Sequence, residues 1–221
     1  MHRQYRQRLS QRCEQRGIAL SVVQLDCLAC YVELLLQWRR HINLTGLRQA
    51  ERIIDVLVAE SLDFLQRELL SRGSRVLDLG TGAGVPGVPL AICAPDLHLT
   101  LLDRSGKKIT FLRHILPRLQ LRNCLPYCGT AEDCARQLSL DQRFDVVVTR
   151  GVGRVAGLLT LAAPLLRPGG TLLLRKPLGT PELQEAASHL ASETWVDLKA
   201  ISVSRDERTA WVLLVVTRGA V

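Results

Sequence analysis

The chain has 221 residues, 47% of them apolar, and carries a formal charge of +8 with a pI near 9.5. That length suits one α/β domain with an extension, the apolar share excludes wholesale disorder, and no apolar run approaches the ~20 residues that cross a bilayer. The basic balance points to a polyanionic partner, most often nucleic acid, because a positive surface concentrates phosphates.

Residues 1 to about 72 read as helical. Leu25, Leu28, Val32, Leu35 and Leu36 recur at three and four residues and form one apolar stripe. Ile53, Ile54, Leu57, Val58, Ser61, Leu62 and Leu65 mark a second such helix. Between them WRRHINLTGLR (38–48) holds Asn43, Thr45 and Gly46, which are cap and turn residues. From Ser74 short apolar runs alternate with amphipathic stretches: RVLDL, PGVPLAIC, HLTLLD, GKKITFLRHIL, NCLPYC, AEDCARQL, FDVVVT, VAGLLTLAAPLL, TLLLRK and PELQEAASHLA. Runs such as VVVT and TLLL read as strands buried on both faces. Strand–helix alternation implies a doubly wound parallel sheet. WVDLKAISV and TAWVLLVVT follow with no helix between them, so the last strand is expected to be antiparallel. Trp38 and Phe111 have apolar neighbours at helical spacing and are expected in the core.

Seven cysteines are scattered through these segments. The N-terminal MHRQYRQRLSQR lacks the apolar centre of a signal peptide, so a cytoplasmic chain with free, mostly buried thiols is expected. Cys27 and Cys30 have CxxC spacing, but no second Cys/His pair lies at zinc spacing, and no metal site is expected.

The stretch LDLGTGAGVPGVPLA (77–91) fits two fingerprints. From Gly80 it is G-x-G-x-G, the loop of enzymes that bind S-adenosylmethionine (SAM). From Gly82 it is the G-x-G-x-x-G of dinucleotide enzymes. Gly80, Gly82 and Gly84 allow a sharp turn and close approach of a ligand to backbone. Asp78 at the strand end could pair, directly or through water, with the cationic amino-acid end of SAM, and would repel a pyrophosphate. Pro86 and Pro89 each remove an N–H that a pyrophosphate site needs. Leu165–Leu174 adds a helix end, a Pro-Gly-Gly turn and a buried strand, an order frequent in SAM methyltransferases. The balance favours SAM. Asp103, at the end of the second strand, suits a ribose diol in either cofactor. GTAED (129–133) allows two compatible readings: backbone at Ala131 and Glu132 recognising an adenine edge, or a helix start capped by Thr130, Glu132 and Asp133.

Together DLGTGAGVPGVPLAI, LLDRSGKKITFLR, GTAED, FDVVVTRGV and the helix YVELLLQWRRHINLTGLR resemble the GidB/RsmG family, over roughly residues 20 to 217. The Val-Pro-Gly extension, the Asn43-Leu44-Thr45 turn and Thr149-Arg150 narrow the match beyond the superfamily. The resemblance implies a Rossmann-like class I SAM methyltransferase fold, a seven-stranded mostly parallel sheet whose last strand is antiparallel, over residues 73–221, with a helical extension over 1–72. It implies methylation of N7 of a guanine in 16S rRNA of the small ribosomal subunit. It further implies cofactor contacts at Gly80, Val85, Ala131, Glu132 and Arg150, with Asp103 near the ribose; the residue reading adds Asp78, Gly82 and Gly84. The chain departs from the family at LVAES (57–61), where Glu60 stands for an aspartate and a histidine is missing, at Gly151-Val152-Gly153, and at Arg175-Lys176-Pro177.

Guanine N7 has a lone pair and no proton, so its methylation needs placement rather than a general base. Arg150 and Lys176, ending two strands on the ligand side, are the expected positioning cations, directed at O6 or phosphate. Three basic patches are expected to steer RNA: Arg3, Arg6, Arg8, Arg12 and Arg16; then Arg39, Arg40 and His41; then Arg104, Lys107 and Lys108. A monomer is expected. The alternatives are a SAM methyltransferase on another substrate, an NAD(P)-dependent oxidoreductase, and a non-catalytic ribosome-binding module.

Overall fold

The computed structural model describes residues 1–65, 68–139, 142–150, 153–177, 194–203 and 211–219. The segments expected as a helix at 181–191 and as the departure at Gly151-Val152 lie outside the described residues.

Seven strands form one sheet: β1 (Arg75–Leu79), β2 (His98–Asp103), β3 (Cys124–Cys128), β4 (Phe144–Thr149), β5 (Leu166–Pro177), β6 (Trp195–Ser202) and β7 (Trp211–Arg218). Their order is β3-β2-β1-β4-β5-β7-β6. The first five run parallel, and β7 inserts antiparallel to both β5 and β6. Side chains alternate between faces, and both faces are covered, which is why the strands read as unbroken apolar runs. Val76, Leu101 and Val148 point to one face; Leu77, Leu102 and Val147 point to the other. The Pro-Gly-Gly turn lies within β5, where the register against β4 shifts between Phe144 and Val146. Gly169 there has φ +73°, and a Cβ on Gly170 would lie 2.9 Å from the Arg167 carbonyl.

The crossover helices are α4 (Gly87–Cys93), α5 (Gly106–Arg118), α6 (Ala131–Gln137) and α7 (Val155–Ala162). The helices α6 and α7 cover one face. On the other, α4 and α5 share a core with the N-terminal helices α1 (His2–Glu14) and α2 (Val22–Trp38). Leu9, Leu28, Val32, Leu35, Ile53 and Ile54 pack into the core that holds Val76, Phe111 and Ile115. Ser21 starts α2 with a reciprocal cap: its hydroxyl accepts from Gln24 N, and the Gln24 side chain accepts from Ser21 N.

The expected second helix departs from regular geometry. After α3 (Ala50–Arg52), Ile53–Val58 is π-helical and Ala59–Phe64 is a 3₁₀ turn. The Leu57 carbonyl explains this locally, because it accepts from the Ser61 hydroxyl and from Arg150 Nη1. Side chains thus satisfy a carbonyl that a regular helix would use itself.

Four of the five arginines between residues 3 and 16 correct an expectation. Arg6 pairs with Asp26 at 2.9 Å, Arg8 and Arg12 with Asp55 at 2.7 and 3.0 Å, and Arg16 with Asp63 at 3.3 Å. They bind α1 to the segments packed beneath it, so this run is mainly an internal fastening rather than a phosphate-facing patch. Burial pushes the Asp55 carboxyl up, but the Arg8 and Arg12 guanidiniums outweigh it and hold Asp55 below its ordinary range.

Candidate functional site

Strand order reverses between β1 and β4, where an open α/β sheet leaves a crevice beyond its carboxyl ends. Thr149, ending β4, donates its hydroxyl to the Leu79 carbonyl at 2.9 Å and fixes the two strand ends together. A cavity of about 540 Å³ opens there, lined by Gly80, Asp103, Lys108, Ala131, Glu132 and Arg150 among others. A larger concavity, about 690 Å³, lies in the turn at residues 39–48 and away from the strand ends; the chemistry belongs to the switch-point cavity.

The loop after β1 has Gly80, Gly82 and Gly84 at φ +75°, +59° and +98°, a region that side-chain-bearing residues rarely adopt. Its shape is held from three sides. Gly82 N donates to Asp103 Oδ2 at 2.9 Å, and Asp103 Oδ1 accepts from Ser105 N. Tyr31, fully buried on α2, donates its hydroxyl to the Ala83 carbonyl at 2.8 Å. Asp78 Oδ2 accepts from the Thr81 hydroxyl at 2.6 Å and from Gly87 N at 2.8 Å.

These bonds decide between the two glycine frames. The Gly87 N–H, the first of α4 and the third glycine of the dinucleotide frame, is buried and already taken by Asp78. A Cβ on Gly87 would lie 2.3 Å from Leu101 Cδ2 and 2.7 Å from Asp78 Oδ2. Gly87 is therefore required for packing, and no phosphate cradle exists at this helix start. Asp78 itself is completely buried, and its Oδ1 has no hydrogen-bond partner. Burial raises its pKa to about 7, against the opposing bonds from Thr81 and Gly87.

Asp103, Ala131, Glu132 and Arg150 thus meet Gly80 on one cavity wall, whereas Asp78, Gly82, Gly84 and Val85 shape the loop behind it. The GTAED segment starts α6 with a capping box in which Thr130 and Asp133 exchange bonds. That leaves Ala131 and Glu132 on the cavity wall, so the capping reading and the lining reading hold together. Lys108 lies 3.4 Å from Asp103 Oδ2, which places it at the cavity as well.

Arg150 is held firmly. Its Nη2 donates to Glu60 Oε2 at 2.8 Å, and its Nη1 reaches the Leu57 carbonyl and the Ser61 hydroxyl. Glu60 also pairs with Arg175 at 3.0 Å, and Arg175 pairs with Asp63 at 2.9 Å. The Arg175 guanidinium lies 4.0 Å from the Trp211 ring centroid. Burial pushes the Glu60 carboxyl up, while Arg175 and Arg150 pull it back. Lys176 lies next along β5, its Nζ 3.4 Å from the Gly153 carbonyl, and does not line the cavity. Sequence reasoning gives no site role to Tyr31 or Asp63, and names Arg175 only as a departure from the family pattern. The available signals were a lone tyrosine within α2, and the acids Glu60 and Asp63 three residues apart beside the apolar stripe of residues 53–65.

A model of the GidB family, described as rRNA small subunit methyltransferase G, matches residues 24–210. A ribosomal RNA small subunit methyltransferase G from Lachnoclostridium phytofermentans is 39% identical over 171 residues, 77% of this chain and 71% of that one. Its counterpart from Clostridium beijerinckii is 34% identical over 168 residues, 76% of this chain and 70% of the relative. Among solved structures, a predicted O-methyltransferase from Agrobacterium tumefaciens superposes with a TM-score of 0.55 at 18% identity, covering 72% of this chain and 79% of that one. That likeness concerns the fold, whereas the sequence matches run through both the helical segment and the sheet: the chain belongs to the GidB family.

Proposed function

We propose that this chain transfers a methyl group from SAM to N7 of a guanine in 16S rRNA of the small ribosomal subunit. The observation that carries the reading is the switch-point cavity. It joins Gly80 and the Asp103 carboxylate to Arg150, while the helix start that the dinucleotide glycine frame would offer a pyrophosphate is closed by Asp78. The residues fit SAM on their own chemistry. Gly80 offers backbone without a Cβ, Asp103 a carboxylate for vicinal hydroxyls, and Ala131 and Glu132 a strand-end edge for an adenine. When bound, SAM supplies an electrophilic methyl group on a sulfonium.

The chain's own residues then have to orient the acceptor. N7 carries no proton, so no side chain must remove one, and the rate gain comes from holding N7 in line. Arg150 is suited to this because Glu60 and the Leu57 carbonyl fix it at the cavity wall. Lys176 extends the same edge toward the base or its phosphate. Both cations act at O6 or phosphate, since a donor on N7 itself would occupy the lone pair to be methylated. Mapping N7-methylguanosine in small-subunit RNA from cells with and without this chain tests the reading. One guanine loses its methyl group in the deletion; no difference at any guanine overturns it.

A further inference from the structure

The +8 charge is not evenly spread. Residues 34–50 and 104–131 contain nine Lys and Arg and no Asp or Glu. These two acid-free segments are far apart in sequence but meet in space. Trp38, at the end of α2, packs edge-on against Phe111 at 5.6 Å and lies 4.9 Å from the His114 ring, both on α5. The turn after Trp38 is closed by Arg39, which donates to the Leu47 and Arg48 carbonyls, and by the Thr45 hydroxyl, which accepts from Leu47 N. Arg40, His41 and Arg48 are left exposed around a concavity of about 690 Å³. On α5, Lys107, His114 and Arg118 recur at helical spacing on the exposed side, with Arg113 beside them. Arg104 and Lys108, at the start of the same helix, line the switch-point cavity.

From this placement we infer that the 39–48 turn and the exposed face of α5 form one track for an RNA phosphate backbone, which crosses the Trp38–His114 seam and ends at the cavity mouth. The inference rests on the rRNA reading above and adds to it the surface that carries the substrate. Three observations favour a phosphate chain. Arg40, Arg48, Lys107 and Arg113 pair with no carboxylate among the described residues, so their charge is available. The track leads to the cavity rather than away from it. The arginine-rich N-terminal run instead spends most of its charge internally, Arg6 on Asp26, Arg8 and Arg12 on Asp55, and Arg16 on Asp63.

The test compares two double variants of equal charge. Arg40→Gln with Lys107→Gln removes one cation from each half of the track; Arg6→Gln with Arg12→Gln removes two that α1 spends on Asp26 and Asp55. All four positions lie on the surface or near it, and intact folding is checked by thermal unfolding. Binding to a small-subunit rRNA fragment is measured as a function of salt. Each lost phosphate contact lowers the slope of log K against log salt by about 0.7 to 0.9, so the track variant is shallower by roughly 1.5 and binds at least about tenfold more weakly at low salt. The α1 variant keeps the wild-type slope, and both keep wild-type SAM affinity. Equal weakening in both variants would show that net charge alone steers RNA and would overturn the track. An unchanged slope in the track variant would overturn it too. Wild-type protein that neither binds nor methylates the RNA would remove the rRNA reading itself. Binding to anionic vesicles that is as tight as RNA binding, and is lost in the track variant, would assign the surface to a membrane.

Discussion

Replacing Tyr31 with phenylalanine deletes one oxygen atom from the fully buried contact between α2 and the glycine loop. The hydroxyl donates to the Ala83 carbonyl at 2.8 Å, and Ala83 is 3% exposed, so water cannot replace the lost donor. Burial holds the phenol well above its ordinary pKa, which keeps the donor protonated at any pH used for assay. A net hydrogen bond contributes about 0.5–1.5 kcal/mol, and an orphaned buried acceptor costs about 1–3 kcal/mol; the two overlap, giving a loss of about 1–3 kcal/mol. For a chain of this length that lowers Tm by roughly 3–10 °C. The same carbonyl sits between Gly82 and Gly84, both in the left-handed region, so the loop loses a fixed point and SAM affinity falls by about three- to thirtyfold. Urea unfolding followed by tryptophan fluorescence gives the stability change, with an unchanged m-value as the check that the native state stays compact. Titration calorimetry gives the SAM affinity. A variant within about 0.5 kcal/mol of wild type and with equal SAM affinity would refute the coupling between the helical extension and the loop.

Other expectations follow from the same geometry. Asp78 has a folded pKa of about 7 against an ordinary value of 3.8, so its contribution is a cost: absent below about pH 4, growing as pH rises, and complete above about pH 7. Asp78→Asn keeps an acceptor for Thr81 and Gly87. Its stability relative to wild type therefore rises between about pH 4 and 7, by up to roughly 4 kcal/mol across that window; a pH-independent difference contradicts this. Glu60→Gln releases Arg150 and weakens SAM binding several-fold, whereas Asp63→Asn, which touches Arg175 and Arg16, lowers Tm with little change in SAM affinity. Calorimetry on both variants separates the two roles, and equal SAM affinities would merge them. Gly80→Ala, forced into φ +75°, abolishes SAM binding, while Lys176→Gln slows RNA methylation and leaves SAM affinity near wild type. Parallel loss of SAM binding in both removes Lys176 from the substrate side.

Much of the sheet domain was legible because its signals are local. A strand buried on both faces must be continuously apolar, so RVLDL, HLTLLD, FDVVVT and TLLLRK announce themselves, and a loop of alternate glycines after the first of them marks the turn. The same locality misled at residues 53–65. There the apolar period is right, but side chains from elsewhere take the Leu57 carbonyl, and the helix widens and then tightens.

What the sequence by itself determined is the order of elements, the glycine loop and the acids and cations placed at strand ends, since each depends on residues within a few positions of one another. What only the tertiary structure decided is where each charge is spent. Arg8 and Asp55 are 47 residues apart and Arg175 and Asp63 are 112 apart, so no pattern along the chain reveals that these pairs neutralise each other. Asp78 reads as a ligand-facing carboxylate until packing turns its Oδ2 onto Thr81 and Gly87. The two acid-free segments read as separate solvated faces until Trp38 meets His114. Coulomb interactions depend on distance through space and on burial, and both are properties of the fold rather than of the sequence.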